Sequence, residues 1–338
     1  MFNKHLYNTP YHNIDISKST FLVTGGAGFI GSNLIEYLLR FNAGRVIALD
    51  NLSNGYIENI KNFMNFPNFE FIEGDIRNFD LCKELVKNVD YVSHQAALGS
   101  VPRSINDPIT SNDVNISGFL NILTAAKDSK SIKKLVYAAS SSSYGDSPIL
   151  PKIEGNEGNP LSPYAVTKLV NELYADVFSR VYNFHSIGLR YFNIFGPKQN
   201  PDNPYAAVIP IFCKNFLEGS SPTVNGDGEN SRDFTFVENA VQANIKALLI
   251  GNINKHSVFN VACGDEISIN QVLNILGLIS GGSQNIIYMD ERKGDVKHSK
   301  ANIEKIKLFL GYEPTIKFEN GLKIVFDWYK NEYSSINK

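Results

Sequence analysis

A phenol and an ammonium stand four residues apart in the segment Ser162-Pro-Tyr-Ala-Val-Thr-Lys168. Ser162 suits an N-cap and Pro163 suits the first helical turn, so the sequence predicts a helix with Tyr164 and Lys168 on one face. A free tyrosine, with a pKa of about 10, is a weak base at neutral pH. A nearby cation and a helix N-terminus both favour the phenolate, so we expect a lowered pKa for Tyr164 and a role as a general base. Tyrosine and lysine also meet at this spacing by chance on exposed helices.

The elements that must position this pair alternate along the first half of the chain. Apolar strand-like segments are followed by amphipathic segments, which predicts a parallel sheet with helices on both faces. The amino-acid composition changes at residues 196–232, where five prolines occur. We therefore predict a first domain at 1–196 with a return segment at about 235–265, and a smaller α/β C-terminal substrate lobe from 197–234 and 266–338. Residues 1–18 are polar and are predicted to wrap the first domain.

A glycine-rich turn, Thr24-Gly-Gly-Ala-Gly-Phe-Ile-Gly31, follows the apolar segment 21–23 and precedes a helical segment. Strand, glycine turn and helix in this order are the context of a dinucleotide site, in which the helix N-terminus binds a pyrophosphate. Asp50 ends the next strand, 19 positions after Gly31. A carboxylate there binds a ribose diol and repels a 2′-phosphate, which favours NAD over NADP. The alternative is a structural turn with an ordinary surface Asp. The fold class predicted is α/β, a Rossmann-type doubly wound parallel sheet.

Composition excludes several classes of partner. The 338 residues carry a formal net charge of -2, which gives no basic excess for nucleic acid or an anionic membrane. The three cysteines are far apart, so neither a disulfide framework nor a metal site is predicted. The first twenty residues lack the apolar core of a signal peptide, and a bilayer-spanning segment is absent from the sequence. These features predict a cytoplasmic protein.

Further motifs lie in the same order as in a known family. They are the serine run 140–143 before Tyr144-Gly145, Leu189-Arg-Tyr-Phe-Asn-Ile-Phe-Gly-Pro197, Asn225-Gly-Asp-Gly228, Ser231-Arg-Asp-Phe234 and Arg292-Lys-Gly-Asp295. Together with the glycine turn, Asp50, Tyr164 and Lys168, they make the chain resemble the extended short-chain dehydrogenase/reductase family. Within that family it is similar to nucleotide-sugar 4-epimerases, including those acting on UDP-N-acetylglucosamine. The resemblance extends from about residue 19 to about residue 330.

The resemblance implies a catalytic role for four residues. Tyr164 would take the proton of the sugar 4-hydroxyl while hydride leaves carbon 4 for the nicotinamide. Lys168 would bind the nicotinamide ribose and lower the pKa of the phenol. Ser140 would share the proton and Ser142 would contact the sugar, although the four adjacent serines leave that division open. The hydride then returns to the other face of the ketose, so NAD is regenerated in each cycle.

Related activities make different demands on the sequence. A sugar-nucleotide 4,6-dehydratase resembles this pattern but carries an Asp-Glu pair after the catalytic Ser or Thr, where this chain has Ser141 and Ser142. A decarboxylase would need a group near carbon 6, for which the sequence offers no firm candidate. A catalytically silent NAD-binding regulator would not need Tyr164 and Lys168. UDP-glucose 4-epimerase remains a close alternative.

Position along the strands and the resemblance together assign the cofactor contacts. Asp75 and Ile76 are expected near the adenine, and small residues at 95–97 leave room for a cofactor that crosses the strand ends. The full set implied for NAD is Gly25, Gly28, Phe29, Ile30, Asp50, Asn51, Ser53, Gly55, Asp75, Ile76, Gln95, Ala96, Ala97, Tyr164 and Lys168.

The resemblance also assigns the UDP-sugar contacts. Arg232 and Arg292 would bind the diphosphate, since guanidinium groups suit bidentate contacts. Asp295 would meet the ribose hydroxyls and Asn193 the diphosphate or sugar. Four residues would line the uracil: Ala207, Val208, Thr223 and Asn225.

Small residues set the expected sugar specificity. The resemblance places Ser299 at a position where a bulky tyrosine is typical of enzymes restricted to UDP-glucose and UDP-galactose. Gly99 and Ser100 would enlarge the same area. The substrates implied are UDP-N-acetylglucosamine and UDP-N-acetylgalactosamine, or their uronic acids. A homodimer built through the helices predicted at 118–127 and 164–182 is also implied, although their apolar positions would equally suit an intramolecular core.

Overall fold

Strands and helices alternate through most of the chain. The computed structural model describes residues 6–291 and 297–336. The strands are β1 (Thr20–Thr24), β2 (Arg45–Asp50), β3 (Phe69–Glu73), β4 (Tyr91–His94), β5 (Lys134–Ser140), β6 (Ser186–Tyr191), β7 (Ile194–Phe195), β8 (Thr223–Asn225), β9 (Ser231–Arg232), β10 (Thr235–Phe236), β11 (Ser257–Val261), β12 (Ile267–Ser268) and β13 (Ile287–Met289).

The helices flank these strands. The α-helices are α1 (Phe29–Arg40), α2 (Phe79–Leu85), α3 (Val101–Asn106), α4 (Pro108–Asn112), α5 (Phe119–Asp128), α6 (Pro163–Tyr182), α7 (Val208–Glu218), α8 (Val237–Leu249), α9 (Ile269–Ser280), α10 (Glu304–Leu310) and α11 (Phe318–Ile336). A π-helical turn at Asp113–Gly118 joins α4 to α5, and 3₁₀ turns occur at Ile57–Asn59, Lys61–Phe63 and Ser141–Tyr144.

A seven-stranded sheet has the order β11-β6-β5-β4-β1-β2-β3, and every neighbouring pair in it is parallel. The predicted doubly wound α/β fold is therefore confirmed. The strand order reverses between β1 and β4, which is where ligands bind in such sheets, beyond the carboxyl ends of the strands. Three two-stranded sheets, β7 with β10, β8 with β13 and β9 with β12, lie outside it. The assignment of domain boundaries stays a prediction.

Alternation along the strands fills both faces of the sheet. On β1, Phe21 and Val23 belong to a core cluster that includes residues of α1 and α8, whereas Leu22 belongs to a cluster with residues of α2 and α5. Successive side chains of a strand point to opposite faces, so one apolar strand supplies both clusters. The catalytic-site candidates on the loops are thus carried by strands held from both sides.

The N-terminal extension packs against α1 and α8. Leu6 and Tyr7 are fully buried. The Tyr7 hydroxyl donates to Asn33 Oδ1 at 3.0 Å, and its backbone N–H donates to Glu238 Oε1 at 3.1 Å. These bonds tie the extension to α1 and α8, as the prediction of a wrapping segment requires.

The three cysteines, Cys82, Cys213 and Cys263, are free and buried. Within residues 6–291 and 297–336, the side chains of His, Cys, Asp and Glu form no group of three suited to a metal ion. No helix in this part of the chain combines the length and the apolar character needed to cross a bilayer.

Candidate active site

The glycine turn lies against the backbone of the neighbouring strand end. A Cβ on Gly25 would stand 2.7 Å from the Ala96 backbone nitrogen, and one on Gly31 would stand 2.1 Å from the Gly25 carbonyl oxygen. Gly25 also has a φ of +67°, which glycine adopts without strain. Helix α1 starts after Gly28 without a side-chain cap. Its first N–H groups are therefore available to an anion such as a pyrophosphate.

Asp50 ends β2 beside this turn. Its Oδ2 accepts from the Ala27 N–H at 3.0 Å and its Oδ1 from the Leu52 N–H at 2.9 Å. Burial raises the pKa of Asp50, and the backbone donors oppose that rise. A Cβ on Gly55 would lie 2.8 Å from Asp50 Oδ2, so only glycine lets this loop fold over the carboxylate.

A second carboxylate follows β3. The Asn51 amide donates to Asp75 Oδ2 at 2.8 Å. Hydrogen bonding from Arg77 lowers the pKa of Asp75 to about 2, so this group is an anion at neutral pH. Asp50 and Asp75 both line the cleft, and Asp75 is paired with Arg77.

Helix α6 begins as predicted from the sequence. The Ser162 hydroxyl accepts from the Ala165 N–H at 3.1 Å, and Pro163 occupies the first turn. The Tyr164 N–H donates to the Ser104 hydroxyl at 3.0 Å, which ties the helix start to α3. Tyr164 and Lys168 then face the cleft together, with the ammonium 5.9 Å from the centre of the phenol ring.

The pKa of Tyr164 differs from the sequence expectation. Burial raises it, and a hydrogen bond with Ser140 offsets only part of that rise. The Lys168 ammonium donates to the Ala138 carbonyl at 2.8 Å. Burial also lowers the pKa of Lys168 to about 8, against the charge of Glu172. The sequence predicts a lowered pKa for Tyr164 from Lys168 and the helix N-terminus together, whereas in the chain without its ligands the burial of the phenol raises that pKa.

The serine run forms a 3₁₀ turn at the end of β5. The Ser140 and Ser142 hydroxyls lie 2.7 Å apart, and the Ser142 N–H donates to Ser140 Oγ at 3.2 Å. Ser143 is fully buried and its hydroxyl faces Glu172 at 3.5 Å. Ser140 therefore lines the cleft together with Tyr164 and contacts Ser142, while Ser143 packs against Glu172.

All the residues predicted to bind NAD line one cleft of about 490 Å³. The cleft lies at the carboxyl ends of β1, β2, β4 and β5, where the strand order reverses. The glycine turn has no room for a Cβ, and it is followed by the carboxyl group of Asp50 at the end of β2. This arrangement fits a dinucleotide. The same cleft is also lined by Gly99, Asn193 and Ala207, which were assigned to the sugar nucleotide.

A second cavity continues from this cleft into the C-terminal part of the chain. It is lined by most of the residues predicted for the nucleotide: Asn193, Ala207, Val208, Thr223, Asn225 and Arg232. Arg232 Nη1 donates to the Ser231 carbonyl at 2.8 Å, which orients the guanidinium. Arg292 and Asp295 lie outside the described residues.

Three residues predicted to contact the sugar do not line either of these two cavities, which are formed by described residues. Ser100 caps α3 by accepting from the Arg103 N–H at 3.2 Å. The Ser142 hydroxyl is engaged by Ser140, as described above. The Ser299 N–H donates to the Ser231 carbonyl at 3.2 Å, so Ser299 lies beside the strand that carries Arg232.

Sequence reasoning missed Asp233, next to Arg232. This buried carboxylate accepts from the backbone N–H groups of Cys263, Gly264 and Ala301 at 2.9, 3.0 and 3.1 Å. It joins the segment carrying Arg232 to the segment after Ser299. The motif Ser231-Arg-Asp-Phe234 drew attention to the arginine, but only the fold brings the three donors to the aspartate.

Two further residues that the sequence reasoning missed hold the walls of the cleft. Tyr191 lines it, and its hydroxyl donates to Gln95 Oε1 at 3.0 Å while accepting from the Asn244 amide at 2.7 Å. Asn115, in the π-helical turn, accepts from the Leu98 N–H at 2.8 Å and donates to the Thr167 hydroxyl at 3.2 Å. π-helical turns are frequent at functional sites, although the sequence does not predict this turn.

Known proteins resemble this chain over most of its length. The NAD dependent epimerase/dehydratase family model matches residues 21–262. UDP-glucose 4-epimerase from Mycolicibacterium smegmatis is 33% identical over 313 residues, which are 92% of this chain and 98% of the relative.

Two solved structures share the fold closely. One is UDP-N-acetylglucosamine 4-epimerase from Methanobrevibacter ruminantium M1 in complex with UDP-N-acetylmuramic acid, with 39% identity, a TM-score of 0.88, and coverage of 93% of this chain and 99% of that chain. The other is UDP-glucuronic acid 4-epimerase from Bacillus cereus with UDP-glucuronic acid and NAD, with 32% identity, a TM-score of 0.86, and coverage of 93% and 100%.

Proposed function

The chain belongs to the NAD dependent epimerase/dehydratase family, within it to the NAD-dependent UDP-sugar 4-epimerases, and from that premise we propose that it interconverts UDP-N-acetylglucosamine and UDP-N-acetylgalactosamine, or their uronic acids. The observation that carries the choice of sugar is the space at Gly99. This residue lines the cleft after β4, and a Cβ built on it would meet no atom within 4 Å. The cleft therefore has open space at Gly99, which we assign to the 2-acetamido group.

Ser299 supports the same choice. Its backbone is fixed to Ser231, one residue from Arg232, so a residue at 299 lies near the end of the site where the diphosphate is proposed to bind. A serine there occupies little volume. A 2-acetamido group needs both space and hydrogen-bonding partners, and small polar residues provide both.

The cofactor side of the mechanism follows from groups already described. The N–H groups of the glycine turn would hold the pyrophosphate, Asp50 would receive the ribose hydroxyls, and Lys168 would donate to the ribose next to the reacting ring. NAD, when bound, supplies the hydride acceptor and donor, together with the positive charge of its oxidised nicotinamide. With the cofactor bound, Tyr164 would lie near a cation that favours the phenolate and opposes the burial that raises its pKa.

Proton transfer is assigned to Tyr164 and Ser140. Tyr164 takes the proton of the sugar 4-hydroxyl as hydride leaves carbon 4, which produces a transient 4-keto sugar. Ser140, which lines the same cleft and lowers the pKa of Tyr164, would share that proton. The ketose turns over, hydride returns to its opposite face, and Tyr164 gives the proton back. Each cycle therefore leaves the protein and its cofactor unchanged.

The substrate must be anchored by its nucleotide, because a tightly fixed sugar would recover only its starting configuration. Arg232 and Asn193 are proposed to hold the diphosphate, and the Asn193 amide donates to the Asp233 carbonyl at 3.3 Å. Ala207, Val208, Thr223 and Asn225 are proposed to surround the uracil in the second cavity. Arg292, Asp295, Ser100 and Ser142 keep their predicted roles as substrate contacts.

We also propose that two copies associate through α6. Leu173, Val177 and Val181 recur at intervals of four residues along this helix and are exposed, and Ile105 and Ile109 of the adjoining α3 and α4 extend the apolar surface. The exposed stripe lies on α6 rather than on α5, whose large apolar side chains are packed inward. An apolar surface of this kind is typical of an isologous interface.

A panel of UDP-sugars, incubated with the purified protein without added NAD, tests the proposal. We expect the acetylated pair to interconvert with a kcat/KM at least about tenfold above that for UDP-glucose and UDP-galactose. Faster turnover of the unsubstituted pair would overturn the assignment of the sugar. A product that has lost water or carbon dioxide would instead identify a dehydratase or a decarboxylase.

A further inference from the structure

The segment 200–206, here called the strap, runs between β7 and α7 along one edge of the cofactor cleft. Four of its residues line the cleft, namely Asn200, Asn203, Tyr205 and Ala206. The loop after β2, which includes Asn54, lines the same cleft. The resemblance assigns no role to the strap.

One oxygen atom joins the strap to this loop. Asn54 Oδ1 accepts from the Asn203 amide at 3.0 Å and from Arg103 Nη2 at 3.2 Å. Asn54 belongs to the cofactor-binding loop, Asn203 to the strap and Arg103 to α3. Three segments that are distant in sequence are therefore linked at the rim of one cleft.

A second contact reinforces the link. The Arg103 guanidinium carbon lies 5.2 Å from the centre of the Tyr205 ring, within the range of a cation–π interaction. Arg103 thus donates a hydrogen bond to Asn54 of the loop and makes a cation–π contact with Tyr205 of the strap. Its planar guanidinium suits a hydrogen bond in its plane and an aromatic ring against its face at the same time.

The strap is ordered by its own bonds. Asn203 Oδ1 accepts from the Tyr205 N–H at 2.9 Å, and the Asn203 carbonyl accepts from the Ala206 N–H at 2.8 Å. These bonds hold the Asn203 amide and the Tyr205 ring on the side of the cleft. On its other side, Asp202 forms a salt bridge with Lys214 of α7.

We propose that the strap retains NAD, because the Asn203–Asn54 and Arg103–Tyr205 contacts must break before the dinucleotide can leave the cleft. A reaction that returns its hydride in every cycle gains nothing from cofactor exchange, so a slow release of NAD suits it. The inference rests on the proposed function only through NAD and does not depend on which sugar is bound.

Release of NAD from the holoenzyme provides the test. Bound NAD is chased with an excess of isotopically labelled NAD in the absence of any sugar, and protein-bound label is followed after rapid gel filtration. We expect Asn203→Ala and Tyr205→Ala to release NAD about tenfold faster than the unsubstituted protein. Arg103→Lys, which keeps the positive charge but loses the planar group, should also accelerate release.

Asp202→Asn is the matched control, since it breaks a contact of the same segment that faces away from the cleft. Loss of that exposed salt bridge should alter release by less than about twofold. Asn54→Ala combined with Asn203→Ala separates the strap contact from direct contacts of Asn54 with the cofactor. If the two side chains act through their mutual bond, the double variant releases NAD no faster than Asn54→Ala alone.

Unchanged release in Asn203→Ala and Tyr205→Ala, or fully additive effects in the double variant, would overturn the proposal. An equal acceleration in Asp202→Asn would also overturn it, because the effect would then reflect general loosening of the segment. The unfolding temperature of each variant is measured alongside, and Arg103→Lys provides a readout even if an alanine variant fails to fold. A wrong sugar assignment would leave all of these results unaffected.

Discussion

Arg190 donates two hydrogen bonds to the carboxylate of Glu172, from Nε to Oε1 at 2.9 Å and from Nη2 to Oε2 at 2.6 Å. Glu172 lies one helical turn after Lys168 on α6, whereas Arg190 lies on β6. Arg190 also pairs with Glu157, and its guanidinium carbon stands 4.7 Å from the centre of the Tyr144 ring. The side chains of Arg190 and Glu172 are both buried. This pair therefore fixes the helix that carries Tyr164 and Lys168 against the sheet and the serine turn.

Glu172→Gln should change the pH dependence of the reaction. Burial lowers the pKa of Lys168 to about 8, and the charge of Glu172 opposes that effect. Removing the charge lowers the pKa of Lys168 further, so the ammonium is lost at a lower pH. The alkaline limb of the kcat/KM profile should move to lower pH, with a loss of about threefold or more at pH 8.

A variant that loses stability without a change of charge provides the control for this prediction. Val325→Ala removes buried methyl groups from α11, away from the cleft, and costs stability through a cavity alone. Its pH profile should coincide with that of the unsubstituted protein. A profile of Glu172→Gln that also coincides would show that Glu172 has no electrostatic influence on Lys168.

Tyr164→Phe should abolish most turnover without loss of ligands. Removing a general base lowers kcat by about 10²–10⁴-fold, while the glycine turn and the nucleotide cavity remain intact. Bound NAD, measured by absorbance after denaturation, and UDP affinity, measured by calorimetry, should both be retained. Tyr137→Phe is the matched control, since this buried phenol lies outside the cleft and bonds to His256. Substantial epimerisation by Tyr164→Phe is the outcome that excludes Tyr164 as the base.

Ser299→Tyr should shift the choice of sugar. A ring at this position removes the volume proposed for the 2-acetamido group, so kcat/KM for the acetylated pair should fall at least about tenfold. The value for UDP-glucose should not fall. Lys297→Tyr places the same ring at an exposed position two residues earlier and should leave both values within about twofold. An equal loss for both sugars in Ser299→Tyr would argue against a role in specificity.

Leu173→Asp tests the proposed association through α6. Leu173 is 58% exposed in the single chain, and a carboxylate there would be buried without a partner in a dimer. Sedimentation equilibrium should show a dimer for the unsubstituted protein and a monomer for the variant. Leu308→Asp, at a residue of α10 that is 82% exposed, should remain dimeric. Identical masses for the two variants would place the interface elsewhere.

The sequence predicts local features of this fold well, because their causes are local. The start of α6 follows from Ser162 and Pro163, and the glycine turn follows from its position between a strand and a helix. The parallel sheet follows from alternation of apolar segments. Each of these signals lies within a few residues of the feature it predicts.

Features created by distant residues are not visible in the sequence. Asn203 and Asn54 are 149 positions apart, and Asp233 accepts from donors 30 or more positions away. The sign of the pKa shift of Tyr164 has the same origin. Spacing shows that Lys168 is near, but the burial of Tyr164, which the whole fold decides, raises its pKa.

Transfer of label from carbon 4 tests the central claim most directly. UDP-N-acetylglucosamine carrying deuterium at carbon 4 is incubated with the purified protein without added NAD, and the product is analysed by mass spectrometry and NMR. Hydride that leaves and returns within one site predicts UDP-N-acetylgalactosamine with deuterium retained at carbon 4. A product whose carbon 4 carries hydrogen from the solvent, or the absence of any epimer, would contradict the account.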